Sequence, residues 1–153
     1  MSMSQLVYFD LETTGLIETD PDILQIGAIT ADCSDSFDKF IHPVNKSTTP
    51  QSEAVNNIKY DSRTESLYLH FENGRRLCKT ISIKTGLLEF IIWLRNQSHR
   101  SGSKVILVAY NAFKFDAPIL LKKIQECNLK TEFFDTCCGF MDPFKAVCEL
   151  YPG

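Results

Sequence analysis

Three runs of strand-forming residues follow one another near the start of the chain, with only short connections between them. Leu6-Val7-Tyr8-Phe9 is apolar and leads into Asp10-Leu11-Glu12; Ile23 to Ile29 is the second run, and Phe37 to Ile41 the third, stopped by Pro43. Parallel neighbours need a long crossover, so these connections predict an antiparallel meander. Downstream the pattern changes. Pro50 to Ile58 reads as a short helix. Leu67 to Phe71 and Leu77 to Ile83, on either side of Asn73-Gly74, predict a hairpin around a type I′ turn. Thr85 to Asn96 has apolar residues at 87, 88, 91, 92 and 94, a helical stripe with Trp93 beside it. Val105 to Ala109 is an unbroken apolar strand of the kind buried on both faces. Ala117 to Cys127 reads as a helix, with Pro118 tolerated in its first turn. Thr131 to Phe134 reads as one more strand and Asp142 to Leu150 as a last helix. Three strands followed by alternating helix and strand predict an α/β fold, a mixed sheet with helices on its faces.

With 153 residues and no repeat, low-complexity stretch or linker, the chain is expected to form one domain spanning 1–153. A net charge of −3 argues against a broad basic surface that holds nucleic acid along its length, but not against an enzyme that grips a strand end. No apolar run approaches a membrane span, and Met1 to Gln5 has neither the basic stretch nor the apolar core of a signal peptide; no membrane partner is expected. The six cysteines (33, 78, 127, 137, 138 and 148) include no CxxC pair and read as reduced thiols, which places the chain inside the cell, in nucleus or cytoplasm. The histidines at 42, 70 and 99 form no ligand spacing.

Asp10 and Glu12 lie two apart on a strand, so both side chains project from one face, with Cα atoms about 6.6–6.8 Å apart. Two carboxylates at that distance can share a divalent ion or bridge a pair of ions. Hard oxygen ligands favour Mg²⁺ or Mn²⁺. The plainer reading is a strand that leaves the core for solvent.

The surroundings point further. Phe9-Asp10-Leu11-Glu12-Thr13-Thr14-Gly15-Leu16, followed by Ile23-Leu24-Gln25-Ile26-Gly27-Ala28, closely resembles the first motif of the DEDD exonuclease superfamily, which includes polymerase proofreading subunits, ribonuclease T and the mammalian three-prime repair exonucleases. Val108-Ala109-Tyr110-Asn111 through Phe115-Asp116-Ala117-Pro118 resembles the second motif, with Tyr110 where many relatives have His. The resemblance implies a ribonuclease-H-like fold and a 3′→5′ exonuclease that hydrolyses phosphodiester bonds at single-stranded DNA or RNA 3′ ends. It implies Asp10, Glu12 and Asp116 as catalytic metal ligands for two Mg²⁺ or Mn²⁺ ions. It also implies that Thr13, Thr14, Leu16, Asn111 and Phe115 bind substrate, with Leu16 against the terminal base. Each has a plainer alternative: a helix N-cap for Asp116, a turn residue for Asn111, and core packing for Leu16 and Phe115. Lys114 is a candidate phosphate contact, and Lys122-Lys123 read as a solvated helix face. Asp135-Thr136 resembles the strand that follows the second motif.

The family's third motif, a fourth carboxylate spaced from a general-base His or Tyr, has no match before Gly153; Asp135 and Asp142 come too early. The expectation is therefore an exonuclease-like domain without its C-terminal helices. Either a further C-terminal segment or a protein partner would cover the sheet. The rival is a catalytically inactive module of the same fold that binds nucleic acid or protein.

Overall fold

The structure, a computed structural model, describes residues 4–15 and 19–150. Strands β1 (Gln5–Thr13), β2 (Ile23–Thr30) and β3 (Ser36–Ile41) form the expected antiparallel meander. Helix α1 (Pro50–Asn56) follows, and then β4 (Ile58–Asp61), β5 (Ser66–Phe71) and β6 (Gly74–Leu77) make a separate antiparallel sheet of three. Next come β7 (Thr80–Ile81), α2 (Ile83–Ser101), β8 (Val105–Val108), α3 (Asp116–Glu126), α4 (Lys130–Thr136), β9 (Cys137–Met141) and α5 (Pro143–Leu150). The main sheet has the order β7-β3-β2-β1-β8-β9, with β8 parallel to both β1 and β9. It is the mixed α/β sheet read from the sequence.

Alternation along β1 decides which face is covered. Val7, Phe9 and Leu11 are buried and join Ile26, Ala28 and Phe37 against Leu87, Phe90, Ile91 and Leu94 of α2 and Leu120 and Ile124 of α3. Burying the Val, Leu, Ile and Phe side chains among these stabilises by about 1.5–3 kcal/mol each. Gly86 lets α2 approach closely, because a Cβ there would collide with the Ile41 side chain. The opposite face carries Tyr8, Asp10 and Glu12, and leaves Tyr8, Ile29 and Met141 exposed. A smaller core of Leu24, Ile58, Leu67 and Cys78 joins the second sheet to the first. Among the described residues no helix is long and apolar enough to cross a membrane.

Three sequence expectations are corrected. The hairpin turns through Glu72-Asn73, because Phe71 pairs with Gly74; only Gly74 has positive φ (152°), so the turn is not type I′. The strand expected over 77–83 divides instead. Leu77 ends β6, Cys78 turns inward to donate its N–H to the Leu67 carbonyl, Thr80–Ile81 pairs with β3 in the other sheet, and Ile83 already starts α2. Third, residues 131–134 are helical. Leu129 and Phe133 stand one turn apart and are both buried, and packing of that i, i+4 pair overrides the strand preference of Phe133-Phe134. The strand beside β8 is Cys137–Met141, later than Asp135-Thr136.

Gly27 pairs with Asp10 across the sheet. A Cβ there would meet only the Asp10 carbonyl, at 3.9 Å, an ordinary contact, so close backbone approach does not require this glycine. What it does is leave the sheet face beside Asp10 bare.

Candidate active site

β8 stops at Val108, opposite Tyr8, so β1 continues past its parallel neighbour with one edge open. The chain then turns through 110–115 and returns as α3. Asp116 is the first helical residue, and Phe115 holds the cap position with no side-chain cap bond. The N-cap alternative therefore fails. Instead, Oδ1 of Asp116 accepts the Leu11 backbone N–H at 3.2 Å, closing the open edge of β1. This ties the third carboxylate to the strand that carries the other two.

Burial and the neighbouring carboxylates raise the proton affinity of Glu12 and Asp116. Glu12 is pushed above the ordinary carboxylate range, first by burial and then by the charge and hydrogen bond of Asp10, with a smaller push from Asp116; a hydrogen bond from Asn56 opposes the shift. Asp116 rises to about 6, by burial first and then by the Asp10 charge, against the pull of the Leu11 N–H. Close, partly buried carboxylates that disfavour each other's ionised form gain most from a cation. Among the described residues, however, no three His, Cys, Asp or Glu side chains stand close enough to enclose a metal ion as they are. The donors suit a hard divalent ion, but they border a cleft instead of forming a closed cage.

That cleft has a volume of about 750 Å³ and is lined by Asp10, Glu12, Thr13, Asn111, Phe115 and Asp116, with α1 as the facing wall. Thr13 donates its hydroxyl to the Gly15 carbonyl. Thr14 does not line the cleft; its hydroxyl accepts the Asp22 N–H at 2.9 Å and its carbonyl accepts the Thr49 hydroxyl at 2.8 Å, so it fixes the turn that carries Thr13. Leu16 lies outside the described residues. Asn111 is the turn residue its alternative describes, with φ of 56° in the left-handed region that Asn tolerates, and it also lines the cleft. Phe115 is 41% exposed, so core packing is not its role. Tyr110 is 71% exposed at the rim, its ring 5.2 Å from that of Phe144.

Asp142 is buried, and its Oδ1 accepts the backbone N–H groups of Asn111 and Phe144, both at 3.1 Å. It secures the second-motif turn and caps α5, and it does not line the cleft. No histidine lines the cleft among the described residues. Lys114 is exposed and also stands outside the lining. Lys123 corrects an expectation: it is buried, among Asp20, Asp22 and Glu126.

The short helix expected over 50–58 is α1; what sequence reasoning missed is that it faces the site, and Asn56. Thr49 caps this helix by accepting the Ser52 N–H, and Pro50 fits its first turn. The helix ends by presenting Asn56 to the site, where Nδ2 donates to the Thr13 carbonyl at 3.3 Å beside the bond to Glu12. Thr-Pro signals the helix start; nothing in the sequence signals what Asn56 reaches.

A family model described as the Exuperantia RNase H-like domain matches residues 4–150. No curated protein matches the chain by sequence. Among solved structures, Escherichia coli exonuclease I in complex with a dA16 oligonucleotide superposes with a TM-score of 0.68 at 12% identity, covering 96% of this chain and 30% of that one. The zinc-bound form of its complex with single-stranded DNA gives 0.69 at 13% identity and the same coverage. Exonuclease I from Methylocaldum szegediense gives 0.57 at 13% identity, covering 80% of this chain and 23% of that one. The chain thus spans less than a third of the length of the exonucleases whose fold it shares.

Proposed function

Because this chain belongs to the Exuperantia RNase H-like domain family and its motifs resemble those of the DEDD exonuclease superfamily, we propose that it acts on 3′ ends of single-stranded DNA or RNA by metal-dependent phosphodiester hydrolysis. The observation that carries the reading is the convergence of Asp10, Glu12 and Asp116 on one cleft whose lining, among the described residues, contains no Lys or Arg to neutralise them. These three carboxylates would hold Mg²⁺ or Mn²⁺. Bound there, the ions would supply Lewis-acid stabilisation of the phosphoryl and leaving 3′ oxygens and lower the pKa of the attacking water.

The chain's own residues would do the positioning. Asp116, pinned to Leu11, fixes its carboxylate against β1, and Asn56 favours the ionised form of Glu12. Exposed Phe115 and Tyr110 offer aromatic faces for bases, which tolerate any sequence. By resemblance, Thr13 and Leu16 seat the terminal nucleotide, and Asn111 offers its side chain to the same cleft.

The test is a 5′-labelled single-stranded oligonucleotide incubated with protein and Mn²⁺ or Mg²⁺. Shortening from the 3′ end, lost in chelator and lost in Asp10→Ala, is expected; shortening that survives either change would overturn the proposal. Binding without hydrolysis is a second reading, favoured by the absence of histidine from the described cleft and by the engagement of Asp142 with backbone N–H groups. Cation-dependent binding of the same oligonucleotide with no shortening would select it.

A further inference from the structure

We propose that the tip of the β5–β6 hairpin is a second contact surface for single-stranded nucleic acid, holding the strand upstream of a 3′ end seated in the cleft. This rests on the nucleic-acid reading above.

A strand entering the cleft is a polyanion, yet among the described residues the lining contains no Lys or Arg. Positive charge is concentrated elsewhere. Residues 57–81 contain Lys59, Arg63, Arg75, Arg76 and Lys79 against Asp61, Glu65 and Glu72, a net positive segment in a chain of net charge −3. Lys59 and Arg75 pair with Glu53 and Asp61, whereas Arg63, Arg76 and Lys79 form no ion pair with a described residue.

The geometry suits a strand as well as its charge. The Arg75 guanidinium lies 3.8 Å over the Tyr68 ring, steadied by the 2.8 Å bond to Asp61. Arg76 stands 5.9 Å from the ring of Phe71, which is itself exposed. A guanidinium beside an aromatic ring offers both a phosphate donor and a surface on which a base can stack. All of β6 is exposed, so neither arginine is occupied in a core; as consecutive strand residues they project from opposite faces of the hairpin, and a strand crossing its tip meets both.

The position is continuous with the cleft. The His70 N–H donates to the Asn57 carbonyl at 2.8 Å, and Asn57 ends α1, the cleft wall. Its neighbour Asn56 bonds the Thr13 carbonyl and Glu12. The arginine-bearing end of the hairpin therefore begins where the wall facing the carboxylates stops.

Fluorescence anisotropy in Ca²⁺, with 5′-fluorescein oligothymidylates of four and of about twenty nucleotides, tests this. The longer strand is expected to bind at least tenfold more tightly. Arg76→Glu, which disturbs no ion pair, and Arg75→Gln combined with it should remove most of that advantage and leave tetranucleotide binding unchanged. The double variant should also flatten the salt dependence of the longer strand, by about 1.4 in log–log slope for two lost phosphate contacts. Equal affinity of wild type for both lengths, or a longer-strand affinity and slope unmoved by Arg76→Glu, would overturn the hairpin proposal while the cleft reading stands. Tetranucleotide binding unaffected by Asp10→Ala would instead count against the cleft reading. Failure of wild type to bind either strand would sink both.

Discussion

Two groups of carboxylates lie close in sequence and differ in what balances them. Asp20 and Asp22, with Glu126 from α3, surround Lys123, whose Nζ lies 3.5 Å from Asp20, 4.0 Å from Asp22 and 3.4 Å from Glu126, while Lys122 adds a 2.6 Å contact to Asp20. Asp20 is accordingly held below the ordinary carboxylate range, chiefly by its hydrogen bond to Lys122. Asp10, Glu12 and Asp116 have no such partner among the described residues of the cleft lining, and Glu12 and Asp116 are pushed upward. One cluster carries its counterions in the chain and is structural. The other meets no Lys or Arg among the described lining residues, and that is the ground of the cation proposal. Acidic residues alone do not separate the two cases; the company they keep does.

The contrast is broken most forcefully by removing the internal counterion. Lys123→Met keeps the unbranched apolar stem of the side chain but leaves buried Asp22 without its ammonium partner. A loss of about 2–3 kcal/mol at neutral pH is expected in urea unfolding, toward the low side of the range for a broken buried pair because Asp20 and Glu126 are half exposed. A neutral result would mean that the lysine contributes no structural balance. The next effect is on cation binding. Glu12→Gln and Asp116→Asn should each weaken Mn²⁺ binding at least tenfold by titration calorimetry, about 1.4 kcal/mol, while Asp20→Asn leaves it within about twofold. A large loss on Asp20→Asn would place the cation at the wrong cluster.

Much of this was legible before the structure, for identifiable reasons. The alternation of Val7, Phe9 and Leu11 with Tyr8, Asp10 and Glu12 fixes two faces on any strand, so the acid pair could be read directly. The arrival of Asp116 beside that pair was legible only through resemblance, since it joins residues 105 positions apart. Its bond to Leu11 was not legible, because it depends on β8 being shorter than β1. α1 has seven residues and one buried side chain, too few for a periodic stripe, so neither its facing position nor Asn56 could be inferred. Lys122-Lys123 looked like a solvated face because the acids that enclose Lys123 include Asp20 and Asp22, about a hundred residues away. Local pattern reveals which face a residue takes; it does not reveal which distant charge meets it.

The smallest effect separates the clusters by pH. Asp116 has a pKa of about 6 in the folded chain against 3.8 ordinarily. Between those values the folded state keeps a proton that the unfolded state has released, so stability falls as pH rises from about 4 to about 6, and the penalty is complete above that. Asn at this position does not titrate, and its side-chain oxygen can still accept the Leu11 N–H. In chelator, Asp116→Asn should therefore be the more stable protein at pH 7.5, by about 1 kcal/mol once solvent screening is allowed for, and the gap should close by about pH 4. Saturating Mn²⁺ should reverse the order at pH 7.5, because the ion stabilises only a folded state that binds it well. A gap that does not change with pH would show that Asp116 is not strained by ionisation. A gap that does change, but ignores Mn²⁺, would show a strained carboxylate that no cation relieves.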